Sequence, residues 1–179
     1  QRKLAEDYLG QIAQSQALAV QNELDYARTV ATSMGQSLVA LRASGITDRA
    51  AAEQQMIYSL KLNPDYLSMS VVFEPDAFDG RDAEFASQPG SPPAGRFARF
   101  VDRDQAGNYK AHLMGSFLTP GQGDYYLVPR KLERDTLAEP YSYAYNGVPT
   151  LLTSVSAVII DDGKLKAVTT SDISLASLQ

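Results

Sequence analysis

Five of the ten tyrosines in this 179-residue chain fall between positions 125 and 145: Tyr125, Tyr126, Tyr141, Tyr143 and Tyr145. The last three alternate along EPYSYAYNG, residues 139–147, and strand side chains alternate faces, so a strand here puts three phenols on one side. A phenol offers a flat apolar face for stacking and a hydroxyl to orient a bound molecule. The cluster reads equally as a packed aromatic core or as the wall of a pocket for something small. Tyr145, beside the Asn-Gly turn, is the one of the five best suited to ordinary packing.

Other chemistry finds little support. There is no cysteine, which removes disulfides, thiolate metal sites and cysteine nucleophiles. The single histidine, His112, has no G-x-S-x-G partner motif, cannot belong to a multi-histidine metal site, and reads as a surface or edge-strand residue. No phosphate-cradling glycine loop occurs. PDAFDGRDAE, residues 75–84, looks calcium-like, but its acids lack the alternate spacing and the distal glutamate of a calcium loop, so a solvated, Asx-turned loop is expected. A net charge of −5, from 16 basic and 21 acidic residues, argues against a nucleic-acid partner. No run of about 18 apolar residues is present to cross a membrane. The chain opens at Gln1 in helical sequence and stops at Gln179 in what reads as the start of another helix, the appearance of a piece of a longer protein.

Several elements must position these residues. Residues 1–45 predict one long helix: no proline before Ser44-Gly45, and Leu4, Tyr8, Ile12, then Val30, Met34, Leu38 and Leu41 on one face. Its Met34 to Leu41 half is expected to pack on the domain, while the rest projects or pairs with a partner helix. Gly45 predicts a left-handed stop and Thr47 the N-cap of a second helix running to Asn63-Pro64. A strand over 66–74 follows, then a Gly/Pro/Asp-rich loop over 75–95 and further strands joined by tight turns at DQAGN, Asn146-Gly147 and Asp161-Asp162-Gly163-Lys164. YYLVPRKLER is ambiguous between helix and turn. The pattern is α+β, with an antiparallel five-stranded sheet preceded by helices.

FEPDAFDGRDAEF, then GRF, DYYLVP, EPYSYAYNG, LLTSVSAVIIDDGKL and SDISLASLQ, in that order over essentially the whole chain, resemble the double Cache sensor domains of bacterial chemoreceptors, the methyl-accepting chemotaxis proteins. The resemblance is to the membrane-distal module. It implies a PAS-like sheet over residues 46–179 carried on the long helix 1–45, with the second module absent from this chain. It also implies a periplasmic domain of an inner-membrane receptor, attached to the membrane only by segments outside this chain, and a homodimer formed through the long helix in the full-length receptor. Catalysis, cofactor and metal are not expected.

Amino-acid-binding members of that family hold the ligand carboxylate with an arginine two residues before a Trp-Tyr pair, and the ammonium with acids further on. Here the aromatic pair matches Tyr125 and Tyr126, the arginine position falls on Gly123, and the Tyr-x-Asp motif becomes Tyr141-Ser142-Tyr143. The terminal acid matches Asp172, which also stands where it could simply cap a following helix. The resemblance therefore implies a ligand site built from Tyr125, Tyr126, Tyr141, Tyr143 and Asp172, with Asp124 and Arg130 as further candidates. An ammonium anchor without a carboxylate anchor points to a cationic amine or polyamine. A purine or small carboxylate held by Arg130 or Lys131, a histidine-kinase or diguanylate-cyclase sensor, and a ligand-free spacer are the alternatives.

Overall fold

The computed structural model describes residues 2–178; the side chains of Arg2, Leu4 and Ala5 lie outside that description, and with them the Leu4 position of the helix stripe. Helix α1, Arg2–Ala43, is 42 residues long, about 63 Å at ~1.5 Å per residue. It ends where expected: Gly45 has φ +84°, and its N–H and that of Ile46 donate to the carbonyls of Arg42 and Leu41. Helix α2, Arg49–Leu62, is capped one residue later than predicted. Asp48, not Thr47, is extended there, and its carboxylate accepts from the Ala50 N–H at 3.0 Å. No described helix is long and apolar enough to cross a membrane.

The remaining elements are β1 (Ser68–Phe73), a short α3 (Asp82–Ala86), β2 (Ala98–Arg103), β3 (Tyr109–Leu113), α4 (Asp124–Leu132), β4 (Thr136–Leu137), β5 (Tyr141–Tyr145), β6 (Val148–Asp161) and β7 (Lys164–Ser174). They form one antiparallel sheet in the order β3-β2-β1-β7-β6-β4, with β5 also paired to β6. The sheet therefore has seven strands where five were predicted. The two-residue β4 is too short to leave a period-two pattern, and it joins β5 along one edge of the 14-residue β6. The hairpins close on residues with positive φ, Asn146-Gly147 and Asp162-Gly163.

The two faces of this sheet differ in kind. One face carries Met69, Val71, Phe73, Val155, Ile159 and Ile173, and buries them against Met34 and Leu38 of α1 and Met56 and Leu60 of α2. Burial of each such side chain stabilises by roughly 1.5–3 kcal/mol. Helix α1 lies close enough that a β-carbon on Gly35 would sit 2.4 Å from Ile159 Cγ1, and Thr169 Oγ1 donates to the Ala31 carbonyl at 2.8 Å. The Met34 to Leu41 half of the helix stripe thus packs on the sheet, while Tyr8, Leu9, Ile12 and Leu18 of the amino-terminal half are exposed.

The acidic loop after β1 is organised by an arginine. Arg49, buried at the start of α2, pairs with Asp79 at 2.7 Å and Asp82 at 2.9 Å, and stacks 3.7 Å over Phe85. Burial alone would raise the Asp79 carboxyl, but hydrogen bonds from Arg49 and the Arg81 N–H outweigh it and hold the group below the usual carboxylate range. Of the acids that looked calcium-like, Asp79 and Asp82 thus neutralise one buried guanidinium, while Asp76 accepts from the Asp82 N–H at 3.0 Å and Glu84 pairs with Arg81.

Candidate ligand-binding site

On the opposite sheet face, alternation brings Ser68 and Ser70 of β1, Thr170 and Asp172 of β7, and Ser154 and Ser156 of β6 to one side. The register aligns Ser68, Asp172 and Ser154 in one row across three strands, and Ser70, Thr170 and Ser156 in the next. Helix α4, β4, β5 and the segment after β3 roof this hydroxyl-rich patch and enclose a cavity of about 910 Å³. That volume lies in the range of small-molecule sites.

Asp172 sits in the cavity wall. Ser68 Oγ donates to one carboxylate oxygen at 2.5 Å and Ser154 Oγ to the other at 2.6 Å. Having given its hydrogen to Asp172, Ser154 must accept from Tyr141, whose hydroxyl lies 2.8 Å away. The result is a relay from Tyr141 through Ser154 to the carboxylate. Burial pushes the Asp172 carboxyl above its ordinary range, and hydroxyl hydrogen bonds from Ser154, Ser68 and Thr170 only partly counter it. No cation faces it. Burial also pushes the Tyr125 and Tyr141 phenols well up, with the Asp172 charge adding to the effect. Asp172 lies within β7, and a 3₁₀ turn at Leu175–Leu178 follows; it is a wall residue and not a helix cap.

The predicted site residues divide. Tyr125, Tyr141, Tyr143, Asp124 and Asp172 line the cavity, as does Tyr145. Tyr141 is partly exposed at the mouth while its hydroxyl turns inward to Ser154, and Tyr143 is half-exposed. Tyr145 also donates to the Arg103 carbonyl at 2.8 Å, a packing role compatible with its place on the wall. Asp124, the first residue of α4, accepts from the Gly121 N–H at 2.9 Å.

Tyr126 and Arg130 lie elsewhere, a departure from the expected ligand-facing pair. Tyr126 is fully buried on the other side of α4, donates to Glu74 at 2.5 Å and accepts from Arg96 at 2.7 Å. Burial, with the Glu74 hydrogen bond, raises its phenol to about 12. Arg130 makes a two-pronged pair with Glu74, at 2.9 Å on each carboxylate oxygen. The physical reason is helical geometry. Neighbouring residues on a helix point about 100° apart, so Tyr125 and Tyr126 cannot both face the cavity. Lys131 does not line the cavity either.

Gly123, where the family's carboxylate-binding arginine would stand, has no room for a side chain. A β-carbon there would lie 2.2 Å from the Phe117 carbonyl oxygen. Among the described residues lining the cavity are four acids, Asp102, Asp124, Glu139 and Asp172, and no lysine, arginine or histidine. The serine and threonine rows and Asp102 went unnoticed in the sequence. The available signal was the polar half of the strand alternation in YLSMS and TSVS.

A long helix packed on one face of an antiparallel sheet, with a walled cavity on the other, is the architecture of a Cache-type sensor domain. The chain belongs to the family of methyl-accepting chemotaxis protein-like first PDC sensor domains, whose model matches residues 53–179. It is 31% identical over 137 residues to the methyl-accepting chemotaxis protein TlpQ of Pseudomonas aeruginosa PAO1, an alignment covering 70% of this chain and 19% of that protein. Among solved structures, the extracellular domain of the putative histidine kinase mmHK1S-Z3 superposes with a TM-score of 0.73 at 30% identity, covering 97% of this chain and 60% of the other. The ligand-binding domain of the Pseudomonas aeruginosa PAO1 chemoreceptor PctC, solved with GABA, superposes with a TM-score of 0.62 at 18% identity and 97% and 66% coverage, a likeness of fold alone. The chain thus spans about a fifth of its curated relative and roughly three-fifths of the kinase domain.

Proposed function

We propose that this chain is the periplasmic ligand-sensing domain of an inner-membrane chemoreceptor, with helix 1–45 carrying a membrane-distal module over 46–179, and that its ligand is a cationic amine. One observation carries the ligand class: the cavity wall holds four carboxylates and no cationic side chain. An ammonium entering the cavity loses water and needs a negative partner, and among the described residues the Asp172 carboxylate is held by hydroxyls alone. A carboxylate, or a purine anchored on Arg130 or Lys131, lacks a counterpart, since Arg130 is committed to Glu74 and neither residue lines the cavity. The blocked Gly123 position argues against an α-amino acid, whose carboxylate would lie among acids.

The domain binds its amine without turning it over and signals by helix movement. A ligand biases two arrangements only through its different affinity for each. A route for that bias is present: Thr136 and Leu137 of β4 wall the cavity, and adjoining Asp135 accepts from the Val158 N–H at 2.9 Å and pairs with Arg28 of α1 at 3.5 Å. The exposed apolar residues of the amino-terminal half of α1 suit pairing with the same helix of a second receptor chain. The kinship with mmHK1S-Z3 supports a second reading of the output alone, a histidine kinase in place of a chemotaxis module.

Calorimetry against primary amines, amino acids, purines and organic acids tests the ligand class. An amine is expected to bind, and Asp172→Asn to weaken it by roughly 2–5 kcal/mol, the range for losing one member of a buried charged pair. Tightest binding by an anion, or equal amine affinity in the variant, overturns the reading.

A further inference from the structure

We propose, resting on the amine reading above, that the ligand carries two cationic groups, one held by Asp172 and the other by Asp102, with an aliphatic diamine as the simplest such molecule. Asp102 of β2 is the register partner of Ser68, and Ser68 is in turn the partner of Asp172. The three therefore occupy one row on one face of the sheet, and both acids line the same cavity. At ~4.8 Å per strand the two backbones stand roughly 10 Å apart. With each ammonium about 2.8 Å from its carboxylate, the charges of the ligand fall roughly 4–10 Å apart, the reach of a chain of roughly three to six methylenes.

Burial separates this pair from the other two wall acids. Asp124 and Glu139 are exposed, and Asp124 already accepts from Gly121. Asp102 and Asp172 are half-buried, where water screens a charge least. Among the described residues the Asp102 carboxylate is engaged through Oδ1, by His112 Nε2 at 2.8 Å, which leaves Oδ2 to accept from a ligand. His112 stacks on Phe100, with ring centroids 4.6 Å apart, and stays outside the cavity lining, so it holds Asp102 in place without filling the site. Phe100, Leu113 and Met114 supply apolar wall for the methylene chain. A monoamine on Asp172 would leave the second half-buried acid facing the cavity with the His112 ring as its partner and its Oδ2 unfilled by the ligand.

Calorimetry on the intact chain, titrating α,ω-diamines of three to six methylenes and the matching primary monoamines, tests this. At least one diamine is expected to bind roughly tenfold or more tightly than its monoamine. Asp102→Asn, which keeps size and a hydrogen bond to His112, brings that ratio toward one, whereas Asp172→Asn weakens both ligands. Asp102→Glu, which restores the charge, recovers part of the ratio, and ligand-free melts confirm that each variant is folded. Equal affinities for diamine and monoamine in the unmodified chain, or an unchanged ratio in folded Asp102→Asn, overturn the two-anchor proposal while leaving the amine reading intact. Failure of every amine to bind overturns both.

Discussion

Glu74 and Asp172 are carboxylates at opposite ends of the β1–β7 pair, and the protein treats them in opposite ways. Glu74 follows β1, where its N–H donates to the Lys166 carbonyl at 2.8 Å, and it accepts from Tyr126 and, in two prongs, from Arg130, with Arg96 at 3.6 Å. Burial would raise its carboxyl, but these partners more than offset burial and hold it below the ordinary range. Among the described residues the Asp172 carboxylate receives only hydroxyl hydrogens, and burial prevails there. A half-buried acid with its cations supplied is a fastener, here tying α4 to the end of the sheet. One left with hydroxyls, facing an open cavity, is poised for a cation from outside.

The sharpest way to break the comparison is at the satisfied end. Arg96 is buried, donates to the Phe73 carbonyl and the Tyr126 hydroxyl, and sits 5.2 Å from the Phe117 ring. Arg96→Met keeps much of the volume but strands these acceptors. A loss of roughly 3–5 kcal/mol of unfolding free energy is expected, the range for breaking a buried ionic network by removing one partner. Urea melts measure it. A loss below about 1 kcal/mol would mean that the Glu74 cluster is not what secures α4.

A smaller effect, but one of opposite sign at the two ends, comes with pH. The Glu74 carboxyl is depressed by folding, so its contribution is present above the ordinary carboxylate pKa of ~4.3 and is lost as pH falls through the folded value. The Asp172 carboxyl is raised by folding, so its contribution is present below ~3.9 and is lost as pH rises through the folded value. Subtracting melts of Glu74→Gln and of Asp172→Asn from those of the parent chain, at stepped pH, isolates each term. The two difference curves should slope oppositely; parallel curves would remove the contrast. An amine that needs ionised Asp172 should also release protons on binding within the Asp172 window, seen as a dependence of binding enthalpy on buffer.

The sequence showed the scaffold better than the site, for a physical reason in each case. The α1 stripe, the Gly45 stop and the Asn146-Gly147 and Asp162-Gly163 hairpins follow from local periodicity and backbone freedom, which neighbouring residues determine. The alternating tyrosines were legible as strand residues, while Asp172 was legible as a site residue only through the family resemblance and otherwise read as a possible helix cap. What escaped depends on long-range register: the Ser68–Asp172–Ser154 row joins residues up to 104 apart in sequence. Asp102 escaped for the same reason, and so did the different fates of Tyr125 and Tyr126, which became fixed only once 124–132 was known to be a helix despite Pro129.

Those tyrosines sharpen the comparison by the smallest change, removal of one hydroxyl at each end. Tyr126→Phe takes away a donor to Glu74 and an acceptor for Arg96, both inside the buried cluster. Hydrogen bonds to charged groups contribute roughly 1.5–3 kcal/mol, so a stability loss of about 2 kcal/mol is expected with amine affinity unchanged. Tyr141→Phe removes the last hydroxyl of the relay to Asp172 through Ser154. Ser154 keeps its bond to the carboxylate and its freed lone pair faces the cavity, so the stability loss should be about 0.5–1 kcal/mol. Amine affinity should fall by a similar amount, because the relay no longer supports the charge that the ammonium meets. Melts and calorimetry on both variants give a two-by-two result. Stability lost at 126 and affinity lost at 141 would confirm that one acid fastens and the other waits; affinity lost at 126, or no affinity change at 141, would mean that the two ends are not separate devices.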